Sequence, residues 1–348
     1  RDYLSSYLLY GMIALAIIGI VGASLTGDAA NLAMPAFTDF TVTNIAVDPS
    51  GNPIINPDTG AAVVNKSAAS GFLFPALFIT IACGAISGFH SLVASGTTSK
   101  QLDSEKNAQP IAYGGMLIEC LLAVISLCAV AFVWTTYQAG GYASPTAVFA
   151  GGLSQMLACI PGLSGVQGIA YTLLILAVSA FCLTSLDTAT RLARYMFQEL
   201  WIPTGQNQHN LTGWRAVLGN AYVATIITVV IGVGLGMTGY TIIWPLFGAA
   251  NQLLAVLALL AVAAWLGNAG KNNKMFYIPM VFMLAVTLTS LCMTIQQKFI
   301  AVSAGGDIFA AAIQLVIALF LLVLAVILTI KGTKTLINAN KEKKPAQA

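Results

Sequence analysis

Cys83-Gly84-Ala85-Ile86-Ser87-Gly88-Phe89-His90-Ser91-Leu92-Val93-Ala94-Ser95-Gly96-Thr97-Thr98-Ser99-Lys100 follows an apolar run that begins at Gly71. Three glycines and six hydroxyl side chains interrupt that run, together with one of the two histidines in the chain. Irregular backbone at membrane depth persists only where protein or a water-filled cavity satisfies its polar groups. A break here exposes amides and a half-helix N-terminus able to hold an anion. The alternative is an unbroken helix with close-packing glycines and a hydroxyl-rich end. The discontinuous form is the one expected.

The surrounding composition makes a membrane the setting. Of 348 residues, 58% are apolar and 8% charged, against about 25% charged in an average soluble domain. Such a chain cannot cover a water-soluble surface, and a disordered chain, a disulfide scaffold and a nucleic-acid binder are excluded on the same ground. The six cysteines show no C-x-x-C or zinc-like spacing and are expected as buried thiols that pack like small hydrophobes.

A spanning helix needs about 20 apolar residues. Eight runs qualify: 4–25, 71–93, 111–137, 165–186, 216–237, 241–266, 275–294 and 308–330. The shorter apolar stretch Pro145–Ile160 fits an interfacial or partly inserted helix. With the N-terminus inside, thirteen of the fifteen basic residues fall on the cytoplasmic side, and only Lys66 and Lys298 lie outside. Both termini are therefore expected in the cytoplasm. Residues 1–330 form the transmembrane domain, with an external loop over 26–70, and 331–348 a basic cytoplasmic tail. The loop is rich in turn residues and fits a two-stranded hairpin across Thr41–Val47 and Ala61–Val64.

Polar groups inside the spans mark pathways, relays or ion pairs. Glu119 lies eight residues into its span, about 12 Å along the helix at about 1.5 Å per residue. It is expected either to carry a proton or to hydrogen-bond a neighbouring helix in its protonated form. Asp187 and Arg191 are four apart and share a helix face, with Arg194 three further on. They form a structural ion pair or a gate, and Asp187 is a second candidate for coupling. In Trp244-Pro245-Leu246-Phe247-Gly248-Ala249-Ala250-Asn251-Gln252, a proline, a glycine and two amides enter an apolar span. This is either a kink with an interhelical amide clasp or a second broken helix of the kind secondary transporters use. The sequence contains neither a phosphate-binding Gly-x-x-x-x-Gly-Lys-[Ser/Thr] loop nor a His-Glu-x-x-His metal motif, and a non-enzyme is expected.

In their order, these segments resemble the carbon starvation protein A family of bacterial and archaeal inner-membrane transporters. The likeness rests on Arg1-Asp2-Tyr3-Leu4-Ser5, on Leu77–His90, and on Ser95-Gly96-Thr97-Thr98-Ser99-Lys100. It continues through Tyr113–Glu119, Asp187-Thr188-Ala189-Thr190-Arg191 and Leu246–Gln252. The resemblance implies an all-α polytopic protein with one or two discontinuous helices in an inverted-repeat plan like that of amino-acid transporters. It implies proton-coupled uptake of pyruvate or short peptides through the cytoplasmic membrane. Family members extend further at the N-terminus, so the chain is expected to correspond to a C-terminal portion.

The expected site draws on Gly88, His90, Ser95, Gly96, Thr97, Thr98, Asn251 and Gln252 for a small carboxylate or peptide. Glu119 and Asp187 serve proton coupling, and Asp187 with Arg191 forms the gate. No cofactor is expected; the coupling ion is a proton or, in its place, sodium. The lipid bilayer is the expected partner and nucleic acid is not. The other class of function is a membrane ligand sensor, or an accessory subunit of a larger transporter, that binds without moving its ligand.

Overall fold

The computed structural model describes residues 2–28, 34–37, 40–42, 54–55, 71–203, 211–237, 240–303 and 308–341. The hairpin expected in the external loop lies outside these residues, apart from a two-residue strand at Thr41–Val42.

Six described helices are long and apolar enough to cross a membrane. They are α1 (Asp2–Thr26), α4 (Ala108–Phe132), α6 (Gln167–Glu199), α8 (Tyr240–Asn268), α9 (Tyr277–Ser303) and α10 (Ile308–Lys341). The chain is thus an all-helical polytopic membrane protein. Two of the eight expected spans take other forms. The run 71–93 is divided into α2 (Phe78–Ala85) and α3 (Gly88–Val93). The run 216–237 yields α7 (Ala221–Met237), 17 residues long, after a short helix at Trp214–Leu218. The second proposed break does not occur: α8 runs on through Pro245, because one lost N–H in a 29-residue helix leaves the remaining ladder intact. Helix α10 likewise continues to Lys341, into the segment expected as a polar tail. Leu336 is buried there, and Gly332 lies against Leu260 of α8.

The chain divides into two compact units: residues 1–70 with 102–189, and residues 71–101 with 190–348. In the first unit, the short helix α5 (Pro145–Ala158) forms the core. The Ser144 hydroxyl caps it by accepting from the Ala147 N–H at 3.3 Å, and proline occupies its first turn, where no N–H is needed. Val148, Ala150, Leu153, Met156 and Leu157 are buried, and α1 and α4 pack on this helix. It is therefore inserted among its neighbours rather than laid on an interface. Gly152 makes the contact with α4: a Cβ there would come within 2.7 Å of the Ala129 carbonyl carbon.

In the second unit, α8 is the hub, with half of its crossing window buried. Leu246 and Ala249 meet Leu291 of α9 and Ala318 of α10. Val256 meets Met283 of α9 and Ala82 of α2. The buried Asn273 fastens the α8–α9 turn, donating to the Ala263 carbonyl at 2.8 Å. Outward faces such as Val230 and Ile231 on α7, or Phe320 and Val323 on α10, are exposed and apolar, as lipid-facing surfaces must be.

Candidate functional site at a helix break

The break lies in the second unit. Helix α2 stops at Ala85 because Ile86 and Ser87 are extended, with φ/ψ of −129°/94° and −109°/120°. Ser87 restarts the chain as the N-cap of α3, accepting from the His90 N–H at 3.3 Å. Ser91 donates back to the Gly88 carbonyl at 2.6 Å.

One side chain from α8 spans the gap. Asn251, 2% exposed, accepts through Oδ1 from the Phe89 N–H at 2.7 Å and from the Ser87 hydroxyl at 3.3 Å. Its Nδ2 donates to Cys83 Sγ at 3.0 Å and lies 3.5 Å from the Cys83 carbonyl oxygen. A carboxamide has a donor end and an acceptor end, and here each end holds one half-helix. Gly88 makes the reach feasible. A Cβ at this position would overlap Leu254 and the Asn251 carbonyl and lie 2.6 Å from the Ala255 nitrogen, so the α3 backbone sits directly on α8.

The neighbouring Gln252 is in a different state. It is wholly buried, and among the described residues neither Nε2 nor Oε1 has a hydrogen-bond partner. Along α8 it falls between Ala249, which clusters with Leu291 of α9, and Val256, which clusters with Met283; the Thr287 hydroxyl of α9 donates to the Met283 carbonyl at 2.7 Å. An unpaired amide in such surroundings costs about 1–3 kcal/mol.

Gly88 and Asn251 thus meet at the break; Gln252 adjoins Asn251 along α8 without a hydrogen bond to either half-helix, and the other expected ligands are not all with them. His90 is exposed. Ser95 is exposed too, and its hydroxyl donates to the Ser91 and Leu92 carbonyls of its own helix at 3.0 and 3.3 Å. Ala94–Thr98 form a wide helical turn that continues α3, so no second break opens at Gly96. Gly96 faces Leu192 of α6, and Thr97 Oγ1 is buried with no partner among the described residues. Thr98 is half-buried in the same turn. Lys100 and Arg194 both lie over the Tyr195 ring, at 5.6 and 4.7 Å from its centre.

The amides after Gly88 are also not idle. Phe89 N–H is taken by Asn251, His90 N–H by Ser87 Oγ, and Ser91 N–H reaches the Ser87 carbonyl at 3.4 Å. An anion that takes the Phe89 or His90 amide must displace Asn251 or Ser87.

Glu119 lies in the first unit, on an exposed face of α4, rather than in a buried pocket of the chain. Asp187 and Arg191 are both half-buried, one turn apart on α6. The six free cysteines correct an expectation. None is fully buried, and Cys120, Cys182 and Cys292 are exposed. The outer face of a membrane helix tolerates a small apolar thiol as well as the core does. Cys83 is more than packing, since its sulfur accepts from Asn251. Sequence reasoning assigned no role to Cys83 or Ser87. The Ser-Gly-Phe-His start of α3, with a hydroxyl three residues before the capped amide, was the available signal for Ser87.

A multi-pass helical membrane protein with a broken helix, its halves clasped by an amide from a neighbouring helix, is the class that fold and site define. The sequence matches the family described as carbon starvation protein CstA over residues 1–142 and 135–290, and the chain belongs to that family. It is 31% identical to the peptide transporter CstA of Helicobacter pylori, covering 86% of this chain and 47% of that protein. It is 29% identical to the peptide transporter CstA of Escherichia coli, over 99% of this chain and 57% of that protein. The pyruvate/proton symporter BtsT of Escherichia coli is also 29% identical, over 84% and 47% of the two chains. The chain spans about half the length of the curated relatives it matches. No solved structure matches it.

Proposed function

We propose that the protein is a secondary active transporter that imports a small organic nutrient, pyruvate or a short peptide, across the cytoplasmic membrane by proton symport. The observation that carries this is the Asn251 clasp, in which a single side chain holds both halves of the broken helix. A substrate carboxylate competes for the acceptor role of Asn251 Oδ1 at the Phe89 N–H. Gln252 supplies the unpaired amide that the substrate satisfies on arrival. The names of the relatives support both substrates. Glu119 and Asp187 are the proposed proton carriers, Asp187 with Arg191 the gate, and both termini are proposed to lie in the cytoplasm.

The test is uptake of labelled pyruvate, with dipeptides as competitors, into proteoliposomes carrying the full-length protein under an imposed pH gradient. Glu119→Gln is expected to abolish gradient-driven accumulation and to spare exchange. Unchanged accumulation removes Glu119 from the coupling role. Ligand binding without flux in the native protein points instead to a sensor or accessory subunit.

A further inference from the structure

The first unit contains an open cavity of about 610 Å³, with Gln167 and Tyr171 exposed at its rim, whose lining shares no residue with the helix-break site. It lies where the turn before α5, the length of α5 from Ala147 to Gln155 and the first turns of α6 meet. Tyr142 forms one wall and is fixed at two points. A Cβ on Gly151 would lie 2.6 Å from Tyr142 Cε1 and 2.7 Å from its hydroxyl, so glycine alone lets the phenol rest on α5. One turn further, Gln155 Nε2 donates to the Tyr142 hydroxyl at 3.3 Å. Ser154, 1% exposed, donates to the Gly151 carbonyl at 3.0 Å. Across the cavity, Gln167 and Tyr171 are four apart on α6 and share a face. Burial, and after it the nearby Tyr171, push the Tyr142 phenol above its ordinary value, while the bond from Gln155 acts in the opposite direction. The phenol is neutral at physiological pH.

The polar groups of this wall are phenols, carboxamides and a hydroxyl, and none of its lining residues is charged near neutrality. Such a lining offers a free carboxylate or ammonium no counter-charge. It suits a group that both donates and accepts while remaining uncharged. The volume is in the range of small-molecule sites, about 300–1,000 Å³, and a three-carbon acid would leave most of it empty.

We propose that this cavity is a second binding site, for an uncharged amide-bearing molecule such as the backbone of a short peptide, held by Gln155, Gln167 and the two tyrosines. Its part in transport rests on the function proposed above; its ability to bind does not.

The test is equilibrium binding of radiolabelled N-acetyl-alanyl-alanine amide, which has no charged end, to the full-length protein in lipid nanodiscs. Saturable binding is expected, with no competition from pyruvate. Gln155→Leu and Gln167→Leu are each expected to weaken it about tenfold. Gln167 is exposed, so its variant does not depend on core packing and keeps the test valid if Gln155→Leu fails to fold. No saturable binding, displacement by pyruvate, or an unchanged affinity in Gln167→Leu overturns the site. If this binding holds while proteoliposome uptake fails, the cavity stands and the transporter reading falls. If uptake persists without amide binding, the reverse holds.

Discussion

Two short helical segments, neither long enough to cross a membrane, one in each unit, are stabilised in different ways. Helix α5 is continuous and capped, and it is buried by packing alone: Gly152 against the Ala129 backbone, with Ala150 and Leu153 fully enclosed. Ser144 takes the amides of Ala147 and Val148 in its first turn, and its neighbours meet it by fit. The α2–α3 segment is interrupted, and its freed groups depend on Ser87 and on one carboxamide from α8. Steric fit changes little with the state of the protein, whereas a hydrogen bond can be exchanged for one to a ligand. The difference separates a scaffold from a place where binding can alter the structure.

The sharpest way to break the comparison is Asn251→Leu. It leaves the Phe89 amide unpaired and frees Cys83, losses of about 1–3 kcal/mol for a buried unsatisfied group and about 0.6 kcal/mol for an average interhelical bond in a membrane. A total near 2–4 kcal/mol is expected, read as a marked fall in the melting temperature in detergent and a loss of uptake. Retained uptake with Asn251→Leu shows that the break holds itself together.

A smaller effect is expected in the other segment. Gly152→Ala forces a methyl group into the Ala129 backbone and destabilises by about 1–3 kcal/mol, as overpacking does. Because α5 stands apart from the helix break, the surviving folded fraction is expected to keep its pyruvate affinity, measured by binding after purification. A shifted affinity joins the two regions functionally and dissolves the contrast.

The smallest change has the opposite sign. Gln252→Met replaces an unpaired buried amide by an apolar chain of similar shape, which is neutral or stabilising by up to about 1 kcal/mol. Stability is expected to hold or rise while uptake falls, a split between thermal melting and transport assays that a purely structural residue does not produce. Destabilisation by Gln252→Met means that the amide is already paired in the resting protein.

Much of this was visible in the linear chain. The glycine and hydroxyl interruption after Ile81 marks the α2–α3 break, since no apolar helix needs Ser87-Gly88 there. Asn251 and Gln252 stand out as two amides in an apolar run. The pairing of Asn251 with Phe89, 162 positions away, was not legible, because it depends on how closely Gly88 lets two backbones approach. Nor was the cavity around Tyr142, whose parts lie in three separate stretches and carry no motif. Of the two alternatives at Pro245, the second broken helix does not form, for a related reason: proline and glycine are permissive for a break, and neighbouring helices decide whether it opens.

By itself the sequence determined the solvent, the helical class and the places where the chain is polar against its surroundings, because each follows from local hydropathy and from backbone hydrogen bonding in lipid. The tertiary structure alone decided which of those polar groups are satisfied by the protein and which are left for something else. Asn251 and Gln252 are adjacent and chemically alike. One bridges a broken helix and the other has no partner among the described residues, a distinction set by the direction each side chain takes from α8 and by what is packed there.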